Sequence, residues 1–419
     1  MLATYKRMES WHGDPSDYRG SDGPVKVIEN HDVTDAALMF LEAGQAALGV
    51  PQAVDYNGAE QAGMHVIQEN THEGVRFSSS RAYLDRGRDN LSVQTGATVS
   101  RVVVEGGRAV GVQVIDGGAS RTIRAHREVV VSAGAYGSPQ VLQLSGIGPA
   151  DLLGGLGIPV HADLPVGDNL HDHLFVPTSW HVDNSPHTGN ALHFGMGILK
   201  EQLDKGHTFM AHSVFETGGF VATSQADDGL PDMQLLGLPW AYPAPNQDAP
   251  VRLKPDQRPS WSVFSTLIQP RSRGKVRIHS ADPTVAPVID PGFLSEPEDL
   301  KVLVEGLEMI REIMNHPSTG GHVKGEYEPG PSYSGETLAQ EVLNRATTVY
   351  NPVGSCRMGV DERAVVGPDL RVRGVEGLRV ADASIMPTII RGNTNAPSIM
   401  IGEKCAELIL SDTAGGPAS

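Results

Sequence analysis

Arg127-Glu-Val-Val-Val-Ser-Ala-Gly-Ala-Tyr-Gly-Ser-Pro-Gln-Val-Leu-Gln-Leu-Ser-Gly-Ile-Gly148 is the stretch that sets the fold class. It opens with β-branched apolar residues and closes that run on small ones, the pattern of a strand buried on both faces. Gly134 supplies a turn, Ser138-Pro139 is expected to start a helix, and Gly146 to stop it. A buried strand that turns tightly into a helix is the unit of a helix-covered parallel sheet, so the chain reads as mixed α/β.

Outward from that unit the hydrophobic period changes. Residues 91–95, 99–104, 109–114 and 121–124 alternate in polarity, with Glu105-Gly-Gly107 and Asp116-Gly-Gly118 between runs, and predict a small β-meander. Residues 34–49 predict a helix capped by Thr34 or Asp35, with Ala37, Leu38, Leu41 and Leu48 at helical spacing. Residues 1–10, with Tyr5 and Met8 among charges, resemble the end of an amphipathic helix. Downstream, residues 261–268 and 275–279 predict strands. Residues 297–314 predict a strong amphipathic helix, with acidic residues first and Leu300, Leu303, Val304, Leu307, Ile310 and Ile313 on one stripe. Leu378-Arg-Val-Ala-Asp382 predicts a strand ending in a carboxylate, followed by the turn Gly392-Asn-Thr-Asn395 and a helix over 397–410.

Composition narrows the function classes. Hydrophobic residues make up 39% and charged residues 20%, enough apolar material for a core. The 48 glycines and 29 prolines follow no collagen-like period and point to many tight turns. A formal charge of −17 disfavours nucleic acid as a partner. Two cysteines, Cys356 and Cys405, exclude a disulfide scaffold and suit a reducing compartment. The apolar runs are too short for a membrane span, and residues 1–8 lack the apolar core of a signal peptide. A cytoplasmic protein without a membrane partner is the expectation.

Common enzymatic signatures are missing from the sequence: no P-loop, no H-E-x-x-H, no G-x-S-x-G, and no G-x-G-x-x-G after a strand. His171-Asp172-His173 offers two metal ligands with nothing convergent nearby, so no metal is expected. Two places could carry chemistry. One is residues 134–148. The other combines Tyr350-Asn-Pro-Val-Gly-Ser-Cys-Arg-Met-Gly359 with residues 380–387 and 392–397, where a strand-end carboxylate faces a helix start rich in amides. Asn393 and Asn395 are either turn formers or donors to the carbonyls of a planar ring.

At these residues the chain resembles the glucose–methanol–choline (GMC) flavin oxidoreductases. Residues 134–148 match the family's second signature, [GS]-[PSTA]-x-x-[ST]-[PS]-x-[LIVM]-[LIVM]-x-x-S-G-[LIVM]-G, at every constrained position. Leu164-Pro-Val-Gly-Asp-Asn-Leu-His-Asp-His173, Arg271-Ser-Arg-Gly-Lys-Val-Arg277 and residues 281–291 are similar to further family stretches, as is 382–403, which is closest to the choline dehydrogenase-like branch. The resemblance implies two lobes. One is a Rossmann-like FAD-binding lobe, formed here by residues 1–174 with the meander and by the returning segment 346–419. The other, residues 175–345 with Glu216-Thr-Gly-Gly-Phe220, is a substrate lobe on an antiparallel sheet backed by helices. It implies FAD as cofactor, an alcohol as substrate, and oxygen or another molecule as electron acceptor. Position by position, Val99 would touch the adenine side of FAD, Asp382 and Ala383 the pyrophosphate–ribityl region, and Asn395, Ala396 and Pro397 the isoalloxazine ring. Asn351 and Asn393 would occupy the catalytic pair.

Two departures shape the expectation. The opening strand, G-x-G-x-x-G turn and helix of the family are not in these 419 residues, so the FAD lobe reads as incomplete. The expectation is a truncated gene product, a degenerate paralogue, or a lobe completed by a second chain, with an exposed apolar edge at residues 129–131. Second, the family motif Tyr-His-Pro-Val-Gly-Thr-Cys-Arg-Met-Gly reads Tyr350-Asn351-Pro352 here. An asparagine can hold a hydroxyl but cannot take its proton, so alcohol oxidation is expected to be impaired. The alternative is a non-catalytic remnant that keeps the fold for binding or scaffolding without FAD. Other histidines of the substrate segment, His193, His207 and His212, are further candidates for reaching a flavin.

Overall fold

A computed structural model describes the chain except residues 85–86, 184–195, 197, 201, 204–210, 243–258 and 415–419. The described chain divides into two compact units. The first comprises residues 1–86, 173–271 and 296–349; the second comprises 87–172, 272–295 and 350–419. The expected segment 1–174 is thus divided, residues 1–86 falling in the first unit and 87–172 in the second.

The first unit is built on one antiparallel sheet. Its order is Val323–Glu328, Leu174–Val182, Ser260–Leu267, Met233–Leu238, Thr217–Val221 and Gly63–Val66, with Thr347–Thr348 also pairing to Leu174–Val182. The three strands Thr217–Val221, Met233–Leu238 and Ser260–Leu267 are buried at every position. Alternation therefore sorts side chains between two covered faces rather than between core and water. On one face, the helices Asp35–Leu48 and Pro297–Met314 press close, because glycines leave room. A Cβ on Gly306 would lie 2.3 Å from Ser265 Oγ, and one on Gly44 2.5 Å from Met64 Cε. On the other, Phe175, Leu236, Leu238 and Phe264 form a cluster, with Phe175 and Phe264 stacked at 4.4 Å. Thr34 caps the first helix by accepting from Ala37 N–H, and Gly49 ends it with φ +64°. The Leu2–Met8 helix leads into Glu9–Trp11, which pairs in parallel with Val25–Glu29.

The second unit has sheets of two or three strands among the described residues. The meander is Thr98–Glu105, Arg108–Asp116 and Ala119–Arg124. Residues 91–95, expected as a strand, carry no regular structure and are exposed. The run at 128–133 forms the strand Val129–Val131, parallel to Leu378–Val380. It is not buried on both faces as its apolar sequence suggests. Its one partner covers part of it, and Val130 stays 39% exposed.

The helix after this strand begins earlier than Ser138-Pro139 suggests. It spans Gly134–Leu144, with Gly134 at φ +80° and Pro139 inside. A proline there has no N–H to give the carbonyl four residues back. That carbonyl, on Ala135, instead accepts from the Ser355 hydroxyl at 2.5 Å. Further along the helix, Gln143 joins two strand segments: its Nε2 donates to the carbonyls of Val166 and Val276, and its Oε1 accepts from Ile278 N–H. The strands Asp168–Leu170, Gly274–Arg277 and Val288–Asp290 form a second small antiparallel sheet, and Asn395–Ala414 is the last helix.

Candidate functional site

The second unit brings the sequence-expected segments together by hydrogen bonds to the backbone. Residues 350–359 have almost no regular structure, yet they are tied at nearly every step. Gly354, Cys356 and Met358 donate their N–H groups to the carbonyls of Ala383, Ser384 and Ile385. Ser355 accepts from Gly167 N–H through its carbonyl and donates its hydroxyl to Ala135. His171 and Val353 exchange backbone bonds in both directions, at 3.1 and 2.9 Å. An irregular segment so fully satisfied can be buried without the usual cost of orphaned backbone groups.

Within this frame Asn351 is held at both ends. Its backbone N–H donates to the buried carboxylate of Asp172 at 2.8 Å. Its side-chain Oδ1 accepts from the Thr394 hydroxyl at 2.9 Å. Thr394 sits between Asn393 and Asn395, so this one bond joins the 350–359 segment to the turn carrying the other expected site residues. Asn351 is half-buried; Asn393, Asn395 and Ala396 are exposed, and Pro397 is buried at the start of the Asn395–Ala414 helix. The structure therefore groups Asn351 with Asn393, Asn395, Ala396 and Pro397.

Asp382 and Ala383 lie between these segments, but the Asp382 carboxylate does not face the amides of the 395–414 helix. One oxygen accepts from Gly134 N–H and the Ser138 hydroxyl, the other from Ser384 N–H at 2.8 Å. It closes the start of the Gly134–Leu144 helix instead, because its strand is the immediate parallel neighbour of the strand that feeds that helix. Ala383 accepts from Gly354 N–H through its carbonyl. Val99 lies in the meander opposite Val114, 38% exposed.

Other candidates resolve into structural roles. Both ring nitrogens of His171 are engaged, Nδ1 with the Asn169 carbonyl and Nε2 with Ile389 N–H. Among the described residues no group of three or more His, Cys, Asp or Glu side chains could hold a metal ion. Cys356 and Cys405 are both free and buried, and burial pushes both thiols up, away from thiolate reactivity. His193 and His207 lie outside the described residues. In the first unit, His212 pairs with Glu69 at 2.7 Å, both side chains 6% exposed. No helix among the described residues is long and apolar enough to cross a membrane.

Sequence reasoning missed Asp172, Thr394 and Asn169. Their signal was proximity to motif residues, but which oxygen or amide each would meet depends on contacts across some 40 to 220 positions of chain.

Known proteins resemble this chain in sequence and in structure. Residues 1–175 and 270–402 match the two models of the GMC oxidoreductases. The alcohol dehydrogenase [acceptor] of Pseudomonas putida is 37% identical over 98% of this chain and 74% of its own length. An oxygen-dependent choline dehydrogenase of Klebsiella pneumoniae is 38% identical over 97% of this chain and 74% of its own. Nothing in these relatives supports a separate chain for the N-terminal unit. Among solved structures, pyridoxine 4-oxidase from Mesorbium loti superposes with a TM-score of 0.84 at 28% identity, covering 98% of this chain and 76% of that one. With identity above a third along nearly the whole chain, on a fold built as those enzymes build it, the chain belongs to the GMC oxidoreductase family.

Proposed function

We propose that this protein is an FAD-dependent oxidoreductase acting on the CH–OH group of a small alcohol, with Asn351 and Asn393 beside the reacting carbon. The observation that carries the reading is the Thr394–Asn351 bond, which joins the two segments that hold this pair. The residues present fit the ring end of FAD. Asn393 and Asn395 carry exposed neutral amides, whose donors are of the kind ring carbonyls accept, and Ala396 beside them is exposed and small. In the same reading the backbone of Asp382 and Ala383 borders the ribityl chain, and that of Val99 the adenine. Bound FAD would supply a hydride acceptor at N5.

The chain's own residues do the rest. The Asn351 oxygen accepts the Thr394 hydroxyl's hydrogen bond, so the amide is oriented, and its nitrogen can only donate. It can hold a substrate oxygen but cannot remove the hydroxyl proton, and Asn393 shares that chemistry. A base of near-neutral pKa at this point contributes about 10²–10⁴-fold to such a step. The protein is therefore a slow oxidant of simple alcohols, and oxygen or another acceptor takes the electrons. A reducing compartment suits its two buried thiols.

The test is anaerobic stopped-flow reduction of the FAD-loaded protein by a panel of primary alcohols. Asn351→His should raise the limiting rate by about 10²-fold or more, with a weaker effect on substrate affinity. Equal rates in both versions would place the base elsewhere. Absence of a flavin band from the purified protein, even after incubation with FAD, would favour the binding or scaffold reading.

A further inference from the structure

The Asn351–Thr394 bond fixes a relation between two segments, but neither segment has regular structure to hold its own shape. What sets their spacing is the short strand Asp168–Leu170 and the residues just after it. We infer that His171 is a positioning residue of the candidate active site: a neutral imidazole clip that holds the 387–394 turn against the 351–354 segment and so sets the separation of Asn393 from Asn351. This rests on the function proposed above.

The chemistry of the clip is defined by its partners. The Asn169 carbonyl, 2.6 Å from Nδ1, can only accept, so Nδ1 carries the proton. Nε2 is then an acceptor, and it receives the Ile389 N–H at 2.9 Å. The ring is 1% exposed. An imidazolium would set a second N–H against that of Ile389, so the clip works only with a neutral ring.

His171 also reaches the other segment. Its backbone pairs in both directions with Val353. The ring lies so close to residue 354 that a Cβ there would fall 2.6 Å from its Cε1, and Gly354, at φ +91°, supplies both the space and the backbone angle. Asn169 makes the same connection a second time. Itself at φ +64°, it donates Nδ2–H to the carbonyls of Gly354, at 3.3 Å, and Pro387, at 3.2 Å, while its Oδ1 accepts from Arg273 Nε. One residue further on, Asp172 receives the Asn351 N–H. Three neighbouring positions, 169, 171 and 172, thus bind the same irregular segments from beneath. Of these, His171 is the one whose side chain accepts the Ile389 N–H.

The experiment uses the full chain loaded with FAD and compares His171→Ala and His171→Gln with the parent. A glutamine keeps a side-chain oxygen able to accept from Ile389. Amide hydrogen exchange is read first, independently of turnover. In His171→Ala the Ile389 amide should exchange about 10-fold faster, the loss of one buried hydrogen bond. Amides of the Gly134–Leu144 helix and the Leu378–Val380 strand should keep their protection. Anaerobic flavin reduction is read second. The limiting rate should fall about 10-fold or more with KM within about 3-fold, the pattern of misplacement rather than lost binding. His171→Gln should recover most of both. Unchanged Ile389 exchange, or a rise spread evenly over the unit, overturns the clip, as does a normal limiting rate with Ile389 deprotected. If His171→Ala does not fold, a His171→Gln protein that keeps parental protection at Ile389 but loses the rate also overturns it, whereas one that keeps both supports it. Failure of the parent to be reduced by any alcohol would count against the proposed function alone, since the exchange measurement still reads the clip.

Discussion

The two units of this chain are held together by different physics. In the first, strands at 217–221, 233–238 and 260–267 are buried throughout, and their energy lies in apolar area and close packing under two helices. In the second, the sheets have two or three strands each, and irregular segments are fixed beside apolar clusters by polar hubs: Asp382, Gln143, Asn169 and His171. Volume is what the first unit should be sensitive to; a lost hydrogen-bond partner is what the second should be sensitive to. The candidate site lies in the second kind of architecture, where single polar side chains decide where backbone goes.

The comparison breaks most readily at Asp382. Asp382→Ala leaves Gly134 N–H, the Ser138 hydroxyl and Ser384 N–H without their acceptor, and at roughly 1–3 kcal/mol per buried orphan should cost about 4 kcal/mol. Urea unfolding measures the total, and hydrogen exchange should place the loss in the second unit. A cost below about 1 kcal/mol would mean the hubs are incidental. Leu303→Ala is the counterpart in the first unit. Leu303 is fully buried on the Pro297–Met314 helix, and the cavity should cost about 3 kcal/mol, seen as faster exchange in the strands 233–238 and 260–267.

A third test uses His65, which lies in the first unit between Tyr56 and Phe220 with neither ring nitrogen hydrogen-bonded. Burial pulls its pKa down to about 3. The unfolded chain, with an ordinary histidine, binds a proton between roughly pH 6.5 and 3 that the folded chain does not. Its contribution is therefore neutral above pH 6.5, and stability falls as pH drops toward 3, by about 1.4 kcal/mol per pH unit. Between pH 7 and 5 the parent should lose about 2 kcal/mol more than His65→Phe, which keeps the ring stack. Equal losses on urea titration would show that the site admits water. The smallest effect is expected at Gly44, whose added Cβ would meet the flexible end of Met64. Gly44→Ala should cost about 1 kcal/mol or less, since overpacking is offset by better helix propensity. A cost above about 3 kcal/mol would show a rigid Met64 and a tighter core than the rest of the unit implies.

Much of the fold was legible because it rests on local pattern. The Thr34 cap, the buried stripe through Leu303, Leu307, Ile310 and Ile313, though not its expected members Leu300 and Val304, and the glycine turns of the meander all act within a few residues, so period and capping chemistry reveal them. The failures share a cause. Residues 91–95 alternate like a strand but join no ladder, and alternation alone cannot show that. The helix at Gly134 starts before Pro139 because the carbonyl that proline leaves orphaned finds Ser355, 220 positions away. Of the candidate site, the segments 350–359, 380–387 and 392–397 stood out in the sequence, and the family resemblance pointed to the asparagine at 351. The partner of the Asp382 carboxylate was read as the wrong helix, since a strand-end carboxylate can cap whichever helix its sheet brings near.

By itself, the sequence determined the chemistry available at the candidate site: amides at 351, 393 and 395. Those are properties of side chains, and no fold changes what an asparagine can donate or accept. Only the tertiary structure decided which groups meet. It set Thr394 against Asn351, Asp382 against Gly134, and His171 between Asn169 and Ile389. A hydrogen bond depends on separations of a few tenths of an ångström between residues far apart in the chain, and the positions of those backbones are fixed by the packing of everything between them.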